Sequence, residues 1–177
     1  SADFSFVANF TELKALCVSN NMISDINFLK RLTQLQSLDL SSNQISDIHS
    51  LANLTKLQSL HLIDNQISDI SFLSYLTGLQ SLDLRFNQIK KLPLSVARLG
   101  MDINLEEYKK REGLSLYGNP ISAPPVEILE HGRQAVLDWY AANRKKLNEI
   151  KVILIGEPKA GKTSLLRRLK ENTCLLY

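Results

Sequence analysis

Leu57–Gly78, LQSLHLIDNQISDISFLSYLTG, is a 22-residue unit that precedes and follows itself almost unchanged. Asn21, Asn43, Asn65 and Asn87 stand 22 residues apart, and each is followed two residues later by an isoleucine. Each closes the frame L-x-x-L-x-L-x-x-N, with Val18 replacing the last leucine of the first copy. A fixed period of this length means a stack of repeats in which each unit buries its apolar side against the next. The alternation Ser59-Leu60-His61-Leu62-Ile63 predicts a short strand with leucines inward. One such strand per unit makes a parallel sheet on the concave side. Where the chain leaves the strand, the asparagine amide can pair backbone groups that the turn would leave unsatisfied. Ile67, Ile70, Leu73 and Leu76 then recur at three-residue steps, which predicts a 3₁₀ or short helical convex side.

This frame resembles the leucine-rich repeat. The fold class it implies is an α/β solenoid with a parallel concave sheet. Asp3–Val7 aligns with Asp69–Leu73, so the chain starts inside a unit, and more repeats are expected upstream. The fifth frame is Leu114–Ile121. Its Asn119 lies 32 residues after Asn87, so the last unit carries ten extra residues, assigned to Glu106–Glu112 as a surface loop or extra helical turn. Pro120, Pro124 and Pro125 end the solenoid. From Pro125 to Leu147 an amphipathic pattern predicts one helix over the exposed end of the core, with Asn143–Lys146 as its break or a linker. The organisation read from the sequence is repeats over 1–123, a capping and linker helix over 124–149, and the start of another domain over 150–177.

Composition limits the function. The chain of 177 residues can bury a core without disulfides or metal, and Cys17 and Cys174 make no ligand or redox spacing. With few cysteines and no signal peptide, a cytoplasmic location is expected. Residues 1–123 hold 11 Lys/Arg and 12 Asp/Glu, whereas 124–177 hold 10 and 6, so the basic excess sits in the C-terminal part. That excess suits phosphate better than nucleic acid.

Phosphate is also what the C-terminal motif addresses. Ile150–Ile155 reads as a buried strand and Ser164–Asn172 as a helix. Between them lies Gly156-Glu157-Pro158-Lys159-Ala160-Gly161-Lys162-Thr163, which fits G-x-x-x-x-G-K-[ST] and runs into Ser164. In such a loop backbone N–H groups and the following helix N-terminus cradle phosphates, the lysine reaches the β- and γ-phosphates, and the threonine hydroxyl binds Mg²⁺. Those roles fall to Lys162 and Thr163. Neither D-x-x-G nor N-K-x-D follows, so residues 1–177 are expected neither to bind nucleotide tightly nor to hydrolyse it.

The order of repeats, Gly118-Asn119-Pro120-Ile121, Ala123-Pro124-Pro125, a helix with Ile128, Gly132 and Ala135, and then Lys151–Leu165 resembles the Roco family. In that family a Ras-like Roc GTPase domain is followed by a COR domain. The resemblance implies a parent protein that binds GTP or GDP with Mg²⁺, hydrolyses GTP, and forms a homodimer. The alternative is a non-enzymatic repeat module whose C-terminal segment only caps the solenoid.

Outward strand positions make the expected partner surface, for another protein or another domain of the same chain. Asp39, His61, Ile63, Asp64, Asp83, Arg85, Phe86 and Tyr117 are its candidates, with Ile63, Phe86 and Tyr117 as anchors. Asp39, His61 and Asp83 fall in one row, and that row reads as a solvated acidic ladder rather than a metal site.

Overall fold

A computed structural model of the chain describes residues 4–108 and 112–148, with side chains described up to Arg144. It contains the strands β1 Ala15–Cys17, β2 Ser37–Asp39, β3 Ser59–His61, β4 Ser81–Asp83, β5 Ile103–Asn104 and β6 Gly113–Ser115, with helices α1 Leu94–Ala97, α2 Val126–Glu130 and α3 Gly132–Asn148. Two compact units divide after Asn143. The predicted strand, phosphate loop and helix over 150–177 lie outside the described residues, as do Lys109, Lys110 and Arg111.

The strands pair in parallel, in the order β1-β2-β3-β4-β6-β5. Leu16, Leu38, Leu60, Leu82 and Leu114 stand side by side across the register. Of these, the last four are at most 1 % exposed, whereas the residues on either side of them in β2 and β3 reach solvent. The convex side is built from 3₁₀ turns at Asn27–Arg31, His49–Leu51 and Ser71–Tyr75, and a further one occupies Ser5–Asn9. Ile67, Ile70, Leu73 and Leu76 are fully buried beneath them. The turns at Asn27–Arg31, His49–Leu51 and Ser71–Tyr75 are each opened by an aspartate: Asp25, Asp47 and Asp69 accept the N–H two residues on, at 2.8, 2.9 and 2.9 Å. That backbone bond is the main reason the Asp47 and Asp69 carboxyls sit below the usual carboxylate range.

The repeats are tied together by asparagines. Asn65 Oδ1 accepts the N–H of Ile45 in the preceding unit at 3.0 Å, and its Nδ2 donates to Leu40 O at 3.0 Å and Leu62 O at 3.2 Å. Asn43 and Asn87 repeat the pattern on Ile23 and Ile67, at 2.8 and 3.0 Å. Asn119 does so on Ile89 at 3.1 Å, across the longer last unit.

Three expectations are corrected. The extra residues of the last unit are more than a loop at Glu106–Glu112. After α1 the chain forms β5 at the far edge of the sheet, outside β6, and only then returns to place β6 beside β4. Gly113 allows the return: its φ is +92°, and a Cβ there would lie 2.6 Å from Asp102 O. Secondly, the helix expected from Pro125 to Leu147 is two helices. Gly132 at φ +82° takes the left-handed conformation that ends a helix, and so separates α2 from α3. Thirdly, Asn143–Lys146 neither breaks nor ends α3, which runs to Asn148. Leu129 of α2 and Val136 of α3 join the leucine core at 1 % and 0 % exposure. Tyr140 Oη donates to Leu92 O at 2.6 Å, and burial raises its pKa.

Asn65→Ala removes the acceptor for a buried N–H and the donor for two buried carbonyls. It should cost roughly 2–4 kcal/mol in urea denaturation, while the neighbouring exposed Gln66→Ala should stay within about 0.5 kcal/mol.

Candidate protein-interaction face

The concave face is a grid set by strand register. Cys17, Asp39, His61, Asp83 and Ser115 share one row. The next rows follow from bonds between adjacent units: Ser42 N–H to Ile63 O at 2.7 Å, Asp64 N–H to Arg85 O at 3.0 Å, and Phe86 N–H to Tyr117 O at 2.9 Å. All eight predicted surface residues therefore fall on this sheet or at the end of its strands, on neighbouring units.

Their environments differ. Asp39 and His61 are partly exposed, with His61 Nδ1 4.0 Å from an Asp39 carboxylate oxygen. His61 Nε2 also lies 3.3 Å from Ser59 Oγ, a contact the sequence reading missed although the two residues are only two apart on one strand. The order serine, histidine, aspartate invites comparison with a nucleophilic triad. The comparison fails because the aspartate lies beyond hydrogen-bond reach of the ring.

Asp83 differs from its position in the expected acidic row. It is 3 % exposed, and the Arg85 guanidinium grips its two oxygens, Nε at 2.9 Å to one and Nη2 at 2.7 Å to the other. Arg85 Nη1 also donates to the carbonyl of Glu107 in the inserted segment. The Asp83 bond raises the Arg85 pKa above its already high ordinary value. Asp83 and Arg85 are thus a clamp that holds the insert, and Asp83 offers no free acid to a partner or cation. Among the described residues no three His, Cys, Asp or Glu side chains converge as a metal site requires.

Phe86 and Tyr117 form the aromatic feature of this face. Their rings meet edge to face, with centroids 5.4 Å apart and planes at 86°. A Cβ on Gly118 would lie 2.7 Å from the Phe86 ring, so the ring rests on that glycine. Phe86 has φ +54°, as do its equivalents in the other units: Asn20 at +60°, Ser42 at +52°, Asp64 at +55° and Gly118 at +74°. The position requires left-handed backbone, which suits glycine and asparagine and costs other residues roughly 1–2 kcal/mol. Beside the pair, a cleft of about 190 Å³ is lined mainly by apolar residues, among them Leu105, Ile121 and Val126. No helix among the described residues is long and apolar enough to cross a membrane.

Comparison with known proteins gives the same fold. Residues 11–54 and 55–96 match the model described as leucine-rich repeats in two copies. No curated protein sequence matches the chain. Among solved structures, an internalin (inlF) from Listeria monocytogenes is 38 % identical over 67 % of this chain and 33 % of its own, with a TM-score of 0.58. A second Listeria internalin, inlC2, is 30 % identical over 67 % and 48 %, with a TM-score of 0.57. The chain thus spans a third to a half of these proteins. The ectodomain of the Arabidopsis thaliana receptor kinase GASSHO1/SCHENGEN3, solved in complex with Casparian strip integrity factor 2, shares the fold at 24 % identity and a TM-score of 0.54, over 66 % of this chain and 14 % of its own.

Arg85→Ala leaves the Asp83 carboxylate buried and unpaired and frees the insert. It should cost roughly 3 kcal/mol in urea denaturation, and the double change Asp83→Asn, Arg85→Leu should recover most of that. Residues 11–96 are leucine-rich repeats, and the solenoid they build is a protein-interaction module.

Proposed function

We propose that the chain is the protein-recognition and linker segment of a multidomain, GTP-binding signalling protein of the cytoplasm. The observation that carries the recognition half is the open sheet face, on which rows of polar and aromatic side chains stand in register with nothing from the chain's described residues laid across His61 and Ile63, both partly exposed. A second protein, or another domain of the same chain, is the occupant such a face suits. The ectodomain solved with Casparian strip integrity factor 2 is an instance of this fold in a complex. Replacing His61 by a photoreactive benzoylphenylalanine tests this in the producing cells. A discrete adduct is expected from position 61 and none from the convex, exposed position of Tyr75. Equal labelling from both, or none from 61, overturns the reading.

The GTP-binding half rests on GEPKAGKT at 156–163, flanked by a strand pattern and a helix pattern, and on the likeness to Roco proteins. In that reading Lys162 and Thr163 serve the nucleotide phosphates and Mg²⁺, the complete protein hydrolyses GTP, and two copies associate. The plain repeat module remains the competing reading, favoured by the comparisons that match only the repeats. Calorimetric titration separates the two. Residues 1–177 should show no micromolar affinity for GTP with Mg²⁺. A chain continued through the full domain should bind it at micromolar affinity or tighter and lose at least about tenfold on Lys162→Ala. A full-length chain that does not bind GTP leaves the plain module.

A further inference from the structure

We infer that the Phe86–Tyr117 pair is the seat for a lysine or arginine side chain of an extended partner segment lying along the concave face, an inference that rests on the recognition reading above. The backbone argues first. Five equivalent positions take left-handed φ; three of them hold Asn20, Asp64 and Gly118, residue types that visit it most readily, and a fourth holds the small Ser42. The fourth unit instead carries a phenylalanine, a residue that stays 42 % exposed although its ring touches Gly118 and Tyr117, so burial alone does not account for its presence. A strained position holding a large exposed side chain is a marker of binding rather than of folding.

Neighbouring charge then selects the occupant. Across the rows of the concave face Arg85 is the one cation among the described residues, against the unclamped carboxylates of Asp39 and Asp64. Arg85 is already neutralised by Asp83 at 2.7 Å. Asp64 is exposed and occupies the unit next to Phe86, whose carbonyl accepts the Asn65 N–H at 3.3 Å. An apolar partner side chain would gain from the rings alone. A cation gains from the rings and from the Asp64 carboxylate in the neighbouring unit. The clamp on the insert keeps Arg85 from competing for the rings.

Selection of a phage-displayed library of random dodecapeptides on the immobilised protein tests this. The expected survivors carry a Lys or Arg that resists substitution. Their affinity should fall about tenfold on Phe86→Asn and about threefold on Asp64→Asn. Phe86→Asn should melt at the same temperature as the parent or higher, since asparagine suits that backbone; a fall of more than about 5 °C would show the ring to be structural and overturn the inference. Survivors without a cation that are nevertheless lost on His61→Arg would overturn this seat and leave the concave reading standing. Survivors indifferent to all three changes, or no survivors, would overturn both.

Discussion

Asn43, Asn65, Asn87 and Asn119 each give one side-chain oxygen to an N–H of the unit before and one side-chain amino group to carbonyls of both units. These groups lie where the strand has ended, so the sheet cannot pair them, and the leucines around them exclude water. An unpaired buried N–H or C=O costs about as much as several good apolar contacts supply. The asparagine therefore sets the period. It can meet the unit before it only if the strands are in register and the leucines of both units face the same core. Asn119 shows how strong that constraint is, since it keeps the pattern although ten more residues separate it from Asn87.

The same geometry fixes the residue before each asparagine. To swing the amide back under the preceding unit, the chain turns through positive φ at Asn20, Ser42, Asp64, Phe86 and Gly118. That requirement links the core to the face, because the residue that pays the backbone strain is the one at the end of the exposed strand. In three units a small polar residue meets it, in the last a glycine. The glycine has a second consequence, for only a residue without Cβ leaves room for the Phe86 ring to rest there.

The solenoid was legible in the sequence because its restraints are periodic: the leucine alternation, the asparagine spacing and the three-residue convex steps each repeat, so every copy reinforces the others. The aspartates at 25, 47 and 69 that open the convex turns recur on the same period. What escaped was aperiodic. Nothing in Met101–Asn104 distinguishes an edge strand from a loop, because its pairing with Leu114 and Ser115 is set by where the chain returns. Asp83 looks like Asp39 in the repeat frame, and its burial depends on Arg85 two residues on and on a carbonyl 22 residues further. Gly132 was counted within a helix, although glycine is the residue that most readily ends one.

A repeat protein presents the same backbone in every unit, so a partner cannot find its place from the sheet alone. Address must come from side chains that the period does not dictate. Across β1 to β3 the outward residues at the strand starts are alanine and serines, and little there departs from the frame. The departures gather between β4 and β6: the Asp83–Arg85 clamp, the aromatic ring on strained backbone, the glycine beneath it, and the inserted segment that reaches the sheet edge. Each of these asks something of its neighbour. The insert needs Arg85, Arg85 needs a buried Asp83, and the Phe86 ring needs Gly118. Such mutual dependence is unnecessary for a fifth turn of solenoid, which Asn119 and the leucines already provide. It makes sense as the cost of placing one rigid, aromatic and locally acidic feature at a defined end of an otherwise uniform face.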